Sequence, residues 1–142
     1  MLALRFSMTD RELLTREPAG TLRRPRVVLA DDHPEVLLAF CRMLEATCDV
    51  VASVPNGSQA IQAVTTLRPD VLVVDLMMPD MDGLEVCRTV RELAPDTAVI
   101  IVTAFDDAQV RKVAMRDGAR DFVPKPLASD LLDGVIQRLT IR

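Results

Sequence analysis

From Arg26 onward, short apolar runs alternate with stretches in which apolar residues recur every three or four positions. The runs Val27-Val28-Leu29-Ala30, Val71-Leu72-Val73-Val74 and Val99-Ile100-Ile101-Val102 show no polar alternation. Their length and β-branched content predict strands covered on both faces, which places them centrally in a parallel sheet. Between them, spacings such as Val36-Leu37-Phe40-Met43-Leu44 give one apolar stripe of a helix. The pattern predicts strands at 26–31, 49–54, 70–75, 98–103 and 120–123, with helices at 34–47, 57–68, 83–94, 106–117 and 127–140. Five βα units joined by right-handed crossovers make an α/β fold, a (βα)5 three-layer sandwich with a five-stranded parallel sheet. Punctuation agrees: Pro34 suits a first helical turn, Asn56-Gly57-Ser58 breaks the second crossover, and Pro69 and Pro95 follow helix ends. Gly134 costs the last helix about 1 kcal/mol relative to Ala, predicting a short or frayed element.

The pattern covers residues 26–142 and leaves 1–25 as an N-terminal extension. Within that extension Thr9-Asp10-Arg11-Glu12 has capping-box spacing before Leu13-Leu14, so it is read as a short helix or a disordered arm. A chain of 142 residues suits one well-buried domain. Residues 1–26 hold six arginines against three acids, leaving eleven basic and eighteen acidic residues beyond them. An acidic main domain argues against nucleic-acid binding by this domain alone. No apolar stretch approaches the roughly 18 residues of a membrane span, and the start is too weakly apolar for a signal peptide. Cys41, Cys48 and Cys87 lack metal-ligand spacing and read as reduced thiols of a cytoplasmic protein.

Chemistry enters where the apolar runs stop. They end in Asp31-Asp32, in Asp75 and in Thr103, and Phe122-Val123 leads to Pro124-Lys125-Pro126. In a parallel sheet these ends share one edge, where open α/β folds bind ligands. Two carboxylates about 5 Å apart repel by roughly 3 kcal/mol at an effective dielectric of 20, so a cation is needed among them. Mg²⁺, a hard ion using one or two carboxylates and bridging to phosphate oxygens, fits such a set. Lys125 supplies a fixed charge and Thr103 a hydroxyl for phosphoryl oxygens, leaving Asp75 as a nucleophile able to form an aspartyl phosphate. Taken singly, each residue has a bland alternative: a solvated turn at Asp31-Asp32, a loop cap at Asp75, an ordinary hydroxyl at Thr103, a solvated Lys125. Their coincidence at successive strand ends, in this order, favours the site. The other polar features take their bland readings. His33 reads as an exposed structural residue at a helix entrance rather than a phosphoacceptor or base. Asp106-Asp107 begin a helix, Met77, Met78 and Met81 pack the loop, and Arg23-Arg24-Arg26 is a solvated basic run.

Residues 26–140 resemble the receiver domains of bacterial two-component response regulators. The resemblance rests on Asp31-Asp32, Asp75-Leu76-Met77-Met78-Pro79-Asp80-Met81-Asp82-Gly83, Thr103-Ala104 and Lys125-Pro126, with Asn56-Gly57 and Gly118-Ala119-Arg120-Asp121-Phe122 in support. Asp31-Asp32-His33-Pro34 is similar to receivers that precede LuxR-type DNA-binding domains. The resemblance implies a flavodoxin-like fold and a phosphoacceptor, Asp75, that takes phosphate from a sensor histidine kinase or a phosphotransfer protein. It further implies Mg²⁺ held by Asp32, Asp75 and the Met77 backbone carbonyl, with Asp31 acting through water. Thr103 and Lys125 would contact the phosphoryl group, Phe122 would be the switch aromatic, and the Lys125-Pro126 bond would be cis. Met77 and Phe105 depart from the commoner polar choices beside the phosphoryl site, which predicts slow dephosphorylation.

Phosphorylation is then expected to draw Thr103 toward the new charge and admit Phe122 inward. That would reshape the face of the fourth helix, fifth strand and fifth helix for partner binding or dimerisation. Lacking a hydroxyl, Phe122 also favours the inward position before phosphorylation. The expected function is a phosphoacceptor signalling domain, not a turnover enzyme. The alternative is the regulatory half of a transcription factor whose DNA-binding domain is absent from this chain. A phosphatase with an aspartate nucleophile is the third reading, weakened because Met77 stands where that chemistry wants a second acid.

Overall fold

Each apolar run forms a strand whose alternate residues face opposite layers of helices. The computed structural model describes residues 23–141. Its elements are β1 (Arg26–Ala30), α1 (Pro34–Leu44), β2 (Asp49–Val54), α2 (Gly57–Leu67), β3 (Val71–Asp75), α3 (Gly83–Leu93), β4 (Ala98–Thr103), α4 (Ala108–Arg116), β5 (Asp121–Pro124), a 3-10 turn (Lys125–Leu127) and α5 (Ala128–Thr140). The strands form one parallel sheet in the order β2-β1-β3-β4-β5. Val28, Leu72, Val74, Val99 and Ile101 pack with Val64, Val86, Val90, Ala114 and Phe122 on the side of α2, α3 and α4. Val27, Leu29, Val71, Val73, Ile100 and Val102 pack with Leu44, Leu132 and Ile136 on the side of α1 and α5. Period-two geometry thus turns a continuous apolar run into two cores, one on each face.

The predicted order of elements holds, and several details differ. Helix α1 stops at Leu44 rather than 47, and the N–H groups of Thr47 and Cys48 close the turn that follows on the Leu44 carbonyl. Helix α4 starts at Ala108 because Asp107 is its cap, its carboxylate accepting from the N–H groups of Gln109 and Val110. Helix α5 runs unbroken through Gly134 for 13 residues and is neither short nor frayed; the amphipathic face carrying Leu132 and Ile136 outweighs one poor propensity. The Lys125–Pro126 bond is trans. Pro126 lies in the first turn of the 3-10 helix, where its fixed φ and missing N–H are compatible with entering α5 directly.

The basic run Arg23-Arg24-Arg26 is hydrogen-bonded to the domain, with Arg24 still exposed. Arg23 pairs with Asp70 at 2.6 Å, and Arg24 donates to the carbonyls of Glu45, Ala46 and Cys48 at the end of α1. Arg26 donates to the Leu67 and Arg68 carbonyls at the end of α2. Arg23 and Arg24, within the span assigned to the extension, thus bond to the domain. The helix and capping box expected at residues 9–14 lie outside the described residues, as does Arg142 at the end of the domain.

Candidate acidic pocket at the carboxyl edge of the sheet

Strand register brings the scattered polar residues together. Ala30 pairs with Val74, Asp75 with Val102, and Thr103 with Pro124, so Asp31, Asp75, Thr103 and Lys125 emerge within about a residue of one rim. The chain crosses from β1 to opposite sides of the sheet at β2 and β3, and the crevice opens at that switch point. Asp75 is fixed from beneath by α3. Gly83 donates its N–H to the Leu76 carbonyl at 2.8 Å, and a Cβ there would lie 2.7 Å from the Asp75 carbonyl oxygen, so only glycine lets this helix approach. Asp80 completes the loop by accepting from the N–H groups of Gly57 and Ser58 at the start of α2 and from Met81. These bonds, Ser58 foremost, hold its carboxyl down at about 2.

Within the pocket Lys125 Nζ lies 2.8 Å from one oxygen of Asp31 and 3.2 Å from Asp75. Both acids are buried, whereas Asp32 is exposed at the rim. Burial and the neighbouring charge of Asp31 push the Asp75 carboxyl above its ordinary value, with Lys125 pulling it partly back. Burial disfavours the charge on Lys125, but its bonds to Asp31 and Asp75 outweigh that and hold the ammonium above the usual lysine range. Two buried carboxylates and a third at the rim face one ammonium, a deficit of positive charge that suits a hard divalent cation. One candidate ligand atom from each of Asp31, Asp32, His33 and Asp75 falls within 4.8 Å of the others.

His33 is exposed at the entrance of α1, as its sequence reading has it, but that reading misses its contact with the site acids. Its Nδ1 lies 2.9 Å from Asp31 and 3.2 Å from Asp32, and its backbone N–H also bonds Asp31 at 2.9 Å. The bond to Asp31 and the charge of Asp32 raise its pKa. The available signal was adjacency: a residue directly after two site acids, locked by Pro34 at a helix start, has little room to point elsewhere.

The remaining site candidates spread around the pocket. Thr103 is fully buried, its Oγ accepting from the Phe105 N–H at 3.2 Å. Met77 donates its N–H to Asp75 at 3.4 Å, while its side chain is 60% exposed and does not pack the loop as expected; Met78 and Met81 do. Phe105 is 63% exposed. Phe122 is already inside, 2% exposed, with the Arg111 guanidinium 4.9 Å above its ring centroid. With no hydroxyl to keep its edge in water, this ring gains by burial. No helix among the described residues is long and apolar enough to cross a membrane.

Residues 27–137 match the family model described as response regulator receiver domain. The chain is 37% identical over 117 residues to the response regulator MprA of Mycobacterium leprae (strain TN), covering 82% of this chain and 51% of that protein. It is 36% identical over 107 residues to MprA of Mycobacterium ulcerans (strain Agy99), covering 75% and 46%. It therefore spans about half the length of these curated relatives. Among solved structures it is similar to the signal receiver domain of the putative response regulator NarL from Mycobacterium tuberculosis, with a TM-score of 0.78, 29% identity and coverage of 84% of this chain and 99% of that one. A LuxR-family two-component response regulator from Aurantimonas sp. SI85-9A1 gives 0.79, 27%, and 83% and 86%.

Proposed function

Because this chain belongs to the response regulator receiver family, we propose that Asp75 is its phosphoacceptor, served by Asp31, Asp32, Thr103 and Lys125. The supporting observation is the Lys125 ammonium shared by Asp31 and Asp75, which ties the edge strand of the sheet to its centre at one rim. Response regulators receive phosphoryl groups from histidine kinases. Here an Asp75 carboxylate oxygen attacks phosphorus, a new O–P bond forms, and the bond from phosphorus to the donor's imidazole nitrogen breaks, its electron pair leaving with that nitrogen. Asp32, Asp75 and the Met77 carbonyl would hold Mg²⁺, with Asp31 acting through water, and the ion would supply charge compensation for phosphoryl oxygens. Lys125 shifts from carboxylate to phosphoryl oxygen, and the Thr103 hydroxyl donates to another. A self-labelling domain of this kind turns over no substrate.

The phosphoryl group adds charge at Asp75, and Thr103 moves toward it. Phe122 starts inside, so the displacement passes chiefly through Phe105, whose N–H is bonded to Thr103, toward the start of α4. A change from 1:99 to 99:1 requires about 5.5 kcal/mol of differential stabilisation; anything less gives a graded response. The output is docking or homodimer formation through α4, β5 and α5. The length of the relatives favours a second arrangement, in which this domain regulates a DNA-binding module outside the present chain.

Incubation with acetyl phosphate and Mg²⁺ tests the reading. A phosphoryl mass increment on the wild type, lost in Asp75→Asn and in EDTA, is expected; an unmodified wild type or a labelled Asp75→Asn overturns it. Met77 and Phe105 present exposed apolar side chains that cannot orient an attacking water. Phospho-Asp75 should therefore decay slowly in Mg²⁺, and Met77→Asn should shorten its lifetime; decay of the wild type within seconds would refute this.

A further inference from the structure

The acids of the pocket are oxygen donors, and one neighbour is not. His33 is the sole histidine of the chain, and its Nδ1 faces Asp31 and Asp32 at 2.9 and 3.2 Å. The ring is held there by its own backbone, since His33 caps α1 immediately before Pro34 and its N–H bonds Asp31. Two ligands at about 2.1 Å from an ion lie roughly 3.0 Å apart at right angles and roughly 3.4 Å apart at a tetrahedral angle. The separation from Asp31 matches the right-angle value, the geometry of six-coordinate ions, and that from Asp32 falls midway between the two. Magnesium gains little from imidazole, whereas first-row transition ions favour it, with affinity rising from manganese through cobalt and nickel to copper.

We propose that His33 makes the acidic pocket a mixed nitrogen and oxygen site that takes a divalent first-row transition ion in place of Mg²⁺, with Nδ1 of His33 and the carboxylates of Asp31, Asp32 and Asp75 as its donors. The inference rests on the reading of this pocket as a divalent-cation site and adds regulation to it. An ion held by the imidazole competes with Mg²⁺ for the same carboxylates, so phosphoryl acceptance at Asp75 depends on which metal is present. The exposed side of the ring, 55% accessible, gives the ion entry from solvent.

Calorimetric titration of the untagged full chain with NiCl₂ and, separately, MgCl₂ tests this for wild type and His33→Gln. Nickel affinity should fall at least about tenfold in His33→Gln, with magnesium affinity within about twofold of wild type. Pulsed electron paramagnetic resonance of the Cu²⁺-loaded wild type should show imidazole nitrogen modulation, assignable to one residue because the chain has one histidine, and absent in His33→Gln. Equal nickel isotherms, a parallel loss of magnesium affinity, or copper spectra without imidazole modulation would overturn the inference. A wild type that binds no Mg²⁺ would instead overturn the cation reading beneath it, so the two failures are distinguishable.

Discussion

At the scale of single residues, the pocket places chemistry ahead of stability. Asp75 is buried beside Asp31, and its raised pKa means that the folded state carries a charge the unfolded chain holds more easily. The penalty is present at neutral pH and is relieved as the carboxyl takes up a proton on acidification. Asp75→Asn should therefore raise the stability of the metal-free protein near pH 7, because burial and the charge of Asp31 together outweigh the bond to Lys125. Urea unfolding with EDTA measures it, and a less stable variant would show that Lys125 outweighs both burial and Asp31. Asp80 has the opposite sign. Its carboxyl, held at about 2 by the N–H groups of Ser58, Gly57 and Met81, stabilises the fold above the ordinary carboxylate value and loses that contribution as pH falls toward 2. Asp80→Ala should melt several degrees below wild type at pH 7, and the gap should close through the range from about 4 to 2 in thermal melts. These residues differ in legibility. Asp75 announces itself as one charge after four buried aliphatics, whereas nothing near Asp80 in sequence shows that two of its partners, Gly57 and Ser58, lie more than twenty residues upstream.

At the scale of elements, most boundaries were legible because local chemistry sets them: Asn56, Asp82 and Asp107 cap the helices that follow, each accepting from N–H groups of the first turn. The misreadings occur where tertiary contacts override local preference. Helix α1 ends early at a turn whose carbonyls Arg24 satisfies from 21 to 24 residues away, and α5 persists through Gly134 because its apolar stripe is already anchored. The latter gives a quantitative expectation. A Cβ built on Gly134 meets nothing within 4 Å, so Gly134→Ala should recover helix propensity with no steric cost. The gain should be about 1 kcal/mol, or roughly 3–5 °C in Tm for a domain of this size. A fall in Tm by scanning calorimetry would mean that helix propensity does not govern this position.

At the scale of the whole molecule, the parallel sheet separates two kinds of work. Helix N-termini and the acidic pocket share the carboxyl edge, while helix C-termini crowd the opposite edge, where their carbonyls carry partial negative charge. Arginines answer that charge one helix at a time: Arg24 at α1, Arg26 at α2, Arg68 on the Leu93 carbonyl of α3, and Arg91 on the Arg116 carbonyl of α4. Sequence reasoning could place the pocket because strand order alone brings strand ends together. It could not assign these arginines, since each partner is set by how helices pack across the sheet. Asp70 anchors this edge, accepting from Arg23 at 2.6 Å and from the Arg26 N–H at 2.8 Å at the first residue of β1. Asp70→Ala strips the acceptor from a partly buried N–H and a guanidinium together, a loss on the order of 2 kcal/mol. Because the sheet lies between Asp70 and Asp75, that loss should appear in the denaturant midpoint and not in chemistry. The acetyl phosphate labelling rate of Asp75, measured where both proteins are folded, should stay within about twofold of wild type. A labelling rate that falls with stability would mean that the two edges are mechanically coupled, and that the arginine-capped edge takes part in the switch rather than only supporting it.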